Sequence, residues 1–86
     1  LDYYPNHRAY LGLGMIKQKR RAFHEAVRIL SRGVELFPES EALNLCLGIT
    51  YMNLQDYDEA LSYLLKFKDS KEARYYIDKC HEALGR

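Results

Sequence analysis

The residues that could do chemistry are few, and none stands at a spacing that a catalytic or metal site requires. His7, His24 and His81 are far apart, and none belongs to an HExxH motif or neighbours a nucleophile in a recognisable arrangement. Cys46 and Cys80 form no CxxC pair and no Cys/His cluster. We therefore expect no enzyme, no metal and no cofactor in this chain, and two buried thiols in a reducing compartment.

Two further patterns have structural explanations. Gly12 and Gly14 form a GxG, but no strand precedes them, so they are interpreted as packing glycines rather than a phosphate loop. Asp56, Asp58 and Glu59 stand where a helix is expected to begin, and carboxylates favour that positive end. Their spacing does not match a calcium loop.

The composition predicts one folded domain. Of the 86 residues, 48% are hydrophobic and 29% are charged, which is typical of a globular domain. No apolar run approaches the roughly 18 residues of a membrane span, so we expect no membrane partner and a cytoplasmic location.

Charge is unevenly distributed along the chain. Residues 1–34 carry seven Lys/Arg against two Asp/Glu, whereas residues 35–86 carry six against ten. This asymmetry permits head-to-tail self-association. The basic run at 17–21 could contact nucleic acid phosphates, but it lacks interleaved aromatic residues, so a solvated face or an acidic neighbour is favoured.

The chain repeats with a period of 34 residues. At that offset Leu13-Gly14 falls on Leu47-Gly48, Phe23 on Tyr57, and Glu25-Ala26 on Glu59-Ala60. Apolar spacing of three and four residues predicts five helices at roughly 7–20, 22–36, 41–54, 57–68 and 70–84.

Residues that begin and end helices agree with these ranges. Asn6 and Ser40 are predicted N-caps, and Pro38 is predicted to end the second helix. Asp69 with Glu72 resembles a capping box at the last helix, and Gly85 is placed to end it.

The 34-residue period with this pattern resembles the tetratricopeptide repeat family. The resemblance implies an all-α fold of antiparallel helix-turn-helix repeats in a TPR-like right-handed superhelix. The chain departs from the family pattern at five positions. Lys17 and Asn44 replace aromatic residues, Arg21 and Gln55 replace the frequent turn glycine, and Phe67 replaces a small residue. The expected repeat core is Tyr10, Leu13, Gly14, Phe23, Ala26, Leu30, Gly33, Pro38, Leu47, Gly48, Tyr51, Tyr57, Ala60 and Leu64.

The expected organisation is a single domain over residues 1–86. Residues 1–6 are interpreted as the tail of a preceding repeat, 7–40 as the first repeat, 41–69 as a shortened second repeat and 70–86 as a capping helix. Because Tyr3-Tyr4-Pro5-Asn6 looks like a copy of Leu36-Phe37-Pro38-Glu39, we expect the chain to be a fragment with at least one more repeat before it.

In this family the first helices of successive hairpins line a concave groove that receives a peptide or a helix. The resemblance therefore implies a protein-interaction module. The groove residues it implies are Arg8, Leu11, Met15, Gln18, Lys19, Ala42, Leu45, Ile49, Met52, Asn53, Lys71 and Arg74, with Tyr75 and Asp78 continuing on the last helix. The carboxylate clamp of some family members is not expected, because only Lys71 fits it.

Two alternatives to this function stay open. The chain could be the non-catalytic tail domain of a larger enzyme that serves self-association or positions substrate proteins, and weak nucleic-acid binding through residues 17–21 is the third hypothesis. The partner is expected to be a protein or peptide, which includes another segment of the parent protein.

Overall fold

The structure, a computed structural model, describes residues 6–86 as a succession of five α-helices. They are α1 His7–Lys19, α2 Phe23–Leu36, α3 Glu41–Asn53, α4 Tyr57–Leu64 and α5 Lys71–Leu84, and α4 continues into a 3-10 turn over Leu65–Phe67. No strand occurs between residues 6 and 86, so the all-α prediction is confirmed. The expected tail of a preceding repeat, up to residue 5, lies outside the described residues. No helix in the described range is long and apolar enough to cross a bilayer.

Side chains that accept a backbone N–H hold the starts of α1, α3 and α4, and the sequence predicts the first two of these caps. Asn6 Oδ1 accepts from the Ala9 N–H at 2.8 Å, and Ser40 Oγ accepts from the Leu43 N–H at 3.2 Å. At α4 the cap is Asp56. These bonds satisfy N–H groups that have no partner inside the helix.

The ends of α5 include one correction. The predicted cap at Asp69 is wrong, because Ser70 is the N-cap and its Oγ accepts from the Ala73 N–H at 3.4 Å. Gly85 ends the helix as predicted, with φ at +75° in the left-handed region.

The turn inside each of the two hairpins has a non-glycine residue in the left-handed backbone conformation. Arg21 has φ +63° and Gln55 has φ +64°. These are the positions at which the family frequently has glycine, and an L side chain is strained there. The Arg21 guanidinium lies 5.5 Å from the centre of the Phe23 ring, a cation–π contact that Gln55 lacks.

Each hairpin is closed by a glycine of its first helix that faces a leucine of its second. A Cβ added to Gly14 would stand 2.6 Å from Leu30 Cγ, and one added to Gly48 would stand 2.8 Å from Leu64 Cγ. Both leucines are fully buried, so neither can move aside. The predicted close crossings at Gly14 and Gly48 are therefore present.

The core consists of two apolar clusters that meet at α3. The first cluster lies between α2 and α3 and contains Ala26, Leu30, Val34, Leu43, Cys46 and Leu47. The second lies between α4 and α5 and contains Ala60, Leu61, Leu64, Ala73, Ile77 and Cys80. Tyr51 packs against both clusters, and its ring stacks on that of Tyr63 at 5.8 Å. The aromatic residue of the second repeat therefore joins the two clusters.

Three residues that were expected to pack are exposed. Leu13 is 47% exposed, because no described helix covers its side of α1, whereas α2 covers the equivalent Leu47. Pro38 lies exposed in the loop beyond α2, where it cannot continue a helix. A Cβ added to Gly12 would meet nothing within 4 Å, so this glycine does not pack.

The two glycines of α1 give a matched test of the hairpin crossing. We expect Gly14→Ala to lower the free energy of unfolding by about 1–3 kcal/mol, because its methyl group overlaps Leu30. Gly12→Ala should instead raise it by up to about 1 kcal/mol, since alanine favours helix and no atom obstructs it. Urea unfolding followed by circular dichroism measures both. Equal effects of the two substitutions would show that the crossing tolerates a side chain.

The left-handed turn of the second hairpin gives another stability prediction. We expect Gln55→Gly to raise the free energy of unfolding by about 0.5–1 kcal/mol, because glycine adopts φ +64° without steric strain. The control is Gln55→Ala, which keeps an L side chain at this φ and should bring no gain. If Gln55→Ala raises the free energy of unfolding as much as Gln55→Gly does, the left-handed backbone at residue 55 is not the source of the strain.

Candidate functional site

The predicted groove depends on α1 and α3 lying side by side, and Gln18 joins them. Its amide Nε2 donates to Thr50 Oγ1 at 2.6 Å and to the Cys46 carbonyl at 3.3 Å. Its Oε1 lies 3.8 Å from the Cys46 Sγ, which donates to it. Gln18 was predicted to face a ligand, but these contacts use its amide inside the protein. It therefore holds α1 against α3.

A second polar contact explains an unusual residue of the repeat. Asn44 replaces an aromatic residue and is fully buried. Its Nδ2 donates to the carbonyls of Ser40 at 2.8 Å and Pro38 at 3.1 Å, and its Oδ1 accepts from Lys66 Nζ at 3.1 Å. The side chain thus ties the start of α3 to the loop before it and to the segment after α4. The buried amide is satisfied, as a group shielded from water must be.

Serine caps establish how α5 aligns with α3. Ser40 and Ser70 are the N-caps of these helices, and the Ser70 hydroxyl donates to Glu41 Oε2 at 2.6 Å. Since the two caps are 30 residues apart, the second repeat is four residues shorter than the first. At this offset the residues of α5 equivalent to Ala42, Leu45 and Ile49 are Glu72, Tyr75 and Lys79.

This register changes which residues of α5 are equivalent to the predicted groove residues of α3. Arg74 is equivalent to Asn44 and lies beside a depression of about 220 Å³ whose lining includes Leu65 and Lys68, so it faces the segment after α4. Lys71 is equivalent to Glu41, at the start of the helix. Tyr75, which is 57% exposed, is equivalent to Leu45, and Glu72 and Lys79, which the sequence analysis did not include, are equivalent to Ala42 and Ile49. The repeated Ser-x-x-Ala/Leu start was the signal that could have located them.

The other residues of the predicted groove differ in how much of their surface is exposed to solvent. Met15 is 51% exposed, and Arg8, Lys19, Ala42 and Asn53 are also exposed. The half-buried residues are Leu11, Leu45, Ile49 and Met52. Leu11 packs against the first cluster, and Leu45 and Met52 pack against the second, so these side chains are partly used by the core.

Two rows of side chains cross the three first helices at equivalent positions. The first row is Leu11, Leu45 and Tyr75, and the second is Met15, Ile49 and Lys79. Helix α3 contacts both α1 and α5, so each row is distributed over adjacent helices. The Lys79 ammonium lies 5.4 Å from the centre of the Tyr75 ring, which joins the rows at α5. The combined surface is apolar over α1 and α3 and polar at α5.

The reactive side chains near the groove are not activated. Burial raises the pKa of the Cys46 thiol to about 11, so the thiol is protonated at neutral pH and is a poor nucleophile. His7 Nε2 is hydrogen-bonded to Ser40 Oγ, which places this histidine at a helix start. No group of three or more His, Cys, Asp or Glu side chains that could hold a metal ion occurs in residues 6–86.

The basic run at 17–21 is divided among different surroundings. Lys17 Nζ lies 2.9 Å from Glu25 Oε1, and that hydrogen bond lowers the pKa of the Glu25 carboxyl. Arg21 stacks on Phe23. Lys19 and Arg20 are exposed and take part in none of the ion pairs that join residues of the described range. Only part of the run therefore presents charge to a partner.

The fold defines an α-helical repeat protein, in which successive hairpins stack through equivalent faces. Residues 43–74 match the model of the family described as "Tetratricopeptide repeat". The matched segment runs from α3 through α4 into α5. The resemblance to this family that the sequence indicated is thus confirmed over the matched residues. Comparison with curated proteins and with solved structures found no match.

The role of Gln18 can be tested by stability. We expect Gln18→Ala to lower the free energy of unfolding by about 1–2 kcal/mol, because Thr50 and the Cys46 carbonyl lose a partner between α1 and α3. Lys19→Ala is the control, since its side chain is exposed. Urea unfolding of both variants provides the comparison. An unchanged stability for Gln18→Ala would assign the residue to ligand contact alone.

Proposed function

We propose that the chain is a protein-interaction module whose groove, formed by the first helices α1, α3 and α5, receives an apolar peptide or an amphipathic helix. Tetratricopeptide repeats generally mediate protein–protein interaction. The observation that supports the finer proposal is the recurrence of exposed or half-buried apolar residues at equivalent positions of adjacent helices, namely Leu11, Leu45, Tyr75, Met15 and Ile49. Apolar surface of this kind is stabilised when a partner covers it, and methionine adapts to varied partners.

Charges around this surface favour one orientation of the ligand. Arg8 and Lys19 are exposed on α1, whereas Glu72 and Lys79 flank Tyr75 on α5. A peptide that lies across the three helices would therefore place its acidic end near α1. Electrostatic attraction of this kind contributes mainly to orientation and association rate, while the apolar rows supply affinity.

The proposal is tested by selecting ligands from a random peptide library. The chain is immobilised, twelve-residue peptides are selected by display, and the best binder is titrated into isotope-labelled protein. We expect amide shifts at Leu11, Met15, Leu45 and Ile49. Shifts confined to α2 and α4 would contradict the groove.

A matched pair of substitutions on α1 sharpens the test. Met15 and Ile16 are neighbours with nearly equal exposure, 51% and 48%, but helical geometry separates their directions by about 100°. We expect Met15→Gln to weaken the selected peptide about fivefold or more, because it removes apolar contact area. Ile16→Gln should leave the affinity within about twofold, since its side chain points away from the groove. Equal losses for the two variants would indicate unspecific contact with α1.

A further inference from the structure

The side of α2 that points away from the core carries a stripe of basic residues. His24, Arg28 and Arg32 recur at intervals of four residues, so they share one side of the helix at a spacing of about 6 Å along its axis. All three are exposed. Ala26 and Leu30, which are fully buried, lie about 160° away from Arg28 around the helix axis. We use the name basic stripe for His24, Arg28 and Arg32.

The second hairpin shows that this side of a repeat stays exposed when repeats stack. At the offset of 34 residues the basic stripe is equivalent to Asp58, Ser62 and Lys66. Helix α4 follows the first hairpin and contacts both α3 and α5, yet these three equivalent residues are all exposed. The exposure of the basic stripe therefore follows from its place in the repeat and does not depend on which residues precede α1.

The fold does not require the positive charges of the basic stripe. Their equivalents in the second hairpin are one acidic, one neutral and one basic residue. Arg28 takes part in none of the ion pairs that join residues of the described range. Arg32 Nη1 lies 3.7 Å from Glu35 Oε1, but the two side chains are 66% and 70% exposed, and so exposed a pair contributes little to stability. The charge of the stripe is thus available to a partner.

An open depression of about 680 Å³ lies along the basic stripe. Its lining includes all three members of the stripe together with Val27, Ser31 and Glu35. Val27 is half-buried and packs against the first cluster, so an apolar contact lies next to the charged groups. Arginine binds a carboxylate through two parallel N–H donors. The depression therefore fits acidic side chains, whose aliphatic stems and carboxylates contact its apolar and basic parts.

The arrangement of charge favours an acidic protein segment over a nucleic acid. The stripe extends over only about 12 Å, whereas proteins that hold nucleic acid by its backbone contact about six to ten phosphates. Glu35 lines the same depression and would repel a backbone that is charged at every nucleotide, but a protein can place a neutral or basic residue there. A second copy of the chain is a poorer fit. Its equivalent face carries a single acid, Asp58, which already pairs with Arg86 at 3.0 Å.

From the exposure of the basic stripe, its position outside the packing of the repeats and the mixed charge around it, we infer that the outward side of α2 binds an acidic segment of a partner protein. The segment carries carboxylates about 6 Å apart for Arg28 and Arg32, a spacing found between residues four apart on a helix or two apart on a strand. The proposed groove is formed by the first helices of the hairpins, so this surface is separate from it and does not depend on the proposed function.

The probe is a pair of synthetic sixteen-residue peptides that are rich in alanine and blocked at both ends. One carries glutamate at every fourth position, and its counterpart carries glutamine there. Each is titrated into the isotope-labelled chain at low and at high salt. We expect the glutamate peptide to shift the amides of His24, Arg28 and Arg32 and to bind about fivefold or more tightly than its counterpart at low salt. High salt should reduce this advantage, because counterions screen exposed charges.

Two substitutions that each remove one positive charge locate the binding surface. Arg28→Gln should weaken the glutamate peptide about fivefold or more, because Arg28 lies at the centre of the basic stripe. Lys68→Gln is the matched control, since Lys68 is exposed between α4 and α5, and its loss should change the affinity by less than about twofold. Both side chains are exposed, so the fold should tolerate either substitution, and circular dichroism checks this.

Each other outcome overturns the inference in a distinguishable way. Equal binding of the two peptides would remove the acidic partner, and equal losses for the two variants would show attraction to net charge alone. Shifts at Leu45 and Ile49 in place of the α2 amides would assign the peptide to the groove. If the α2 amides shift on raising the protein concentration alone, the occupant is a second copy of the chain. Tighter binding of a twelve-nucleotide single-stranded RNA, weakened by Arg28→Gln, would assign the basic stripe to nucleic acid.

Discussion

Each hairpin can form only because the first helix carries no side chain where the second crosses it. Gly14 faces Leu30, and Gly48 faces Leu64, at distances that leave no room for a Cβ. The leucine enters the space that the glycine leaves, and there it is fully buried. The contact is equivalent in both hairpins, so in each of them the two helices approach closely at the same position of the repeat.

Polar contacts complete the layer that the close crossings begin. Gln18 joins α1 to α3, and Ser70 joins the start of α5 to Glu41 at the start of α3. Apolar packing alone would leave neighbouring helices free to slide, because it has little directional preference. Hydrogen bonds at defined distances remove that freedom. They bring equivalent residues of successive first helices into the rows that we propose as the groove.

One helix thereby presents two apolar surfaces of different character. Met15 belongs to the proposed groove, whereas the side chain of Ile16 points about 100° away from it, although the two are adjacent in the chain and almost equally exposed. The proposed groove spans three helices and suits a ligand that crosses them, whereas Leu13 and Ile16 lie along a single helix. Basic residues of α1 border the proposed groove, which is why the proposal places the acidic end of a ligand there.

The sequence by itself determined the five helices, their capping residues at Asn6 and Ser40, and the glycine crossings, because these depend on local spacing and on a repeat that superposes equivalent residues. The sequence left the surroundings of Gln18 and Leu13 undecided. The Gln18 amide turns inward because Thr50 of another helix supplies its hydrogen-bond partner. Leu13 is exposed because no described helix covers it, and an apolar pattern does not show whether a neighbour is present. The register of α5 was also decided by tertiary structure. Ser70 contacts Glu41 across the layer, and that contact depends on the folded position of both helices.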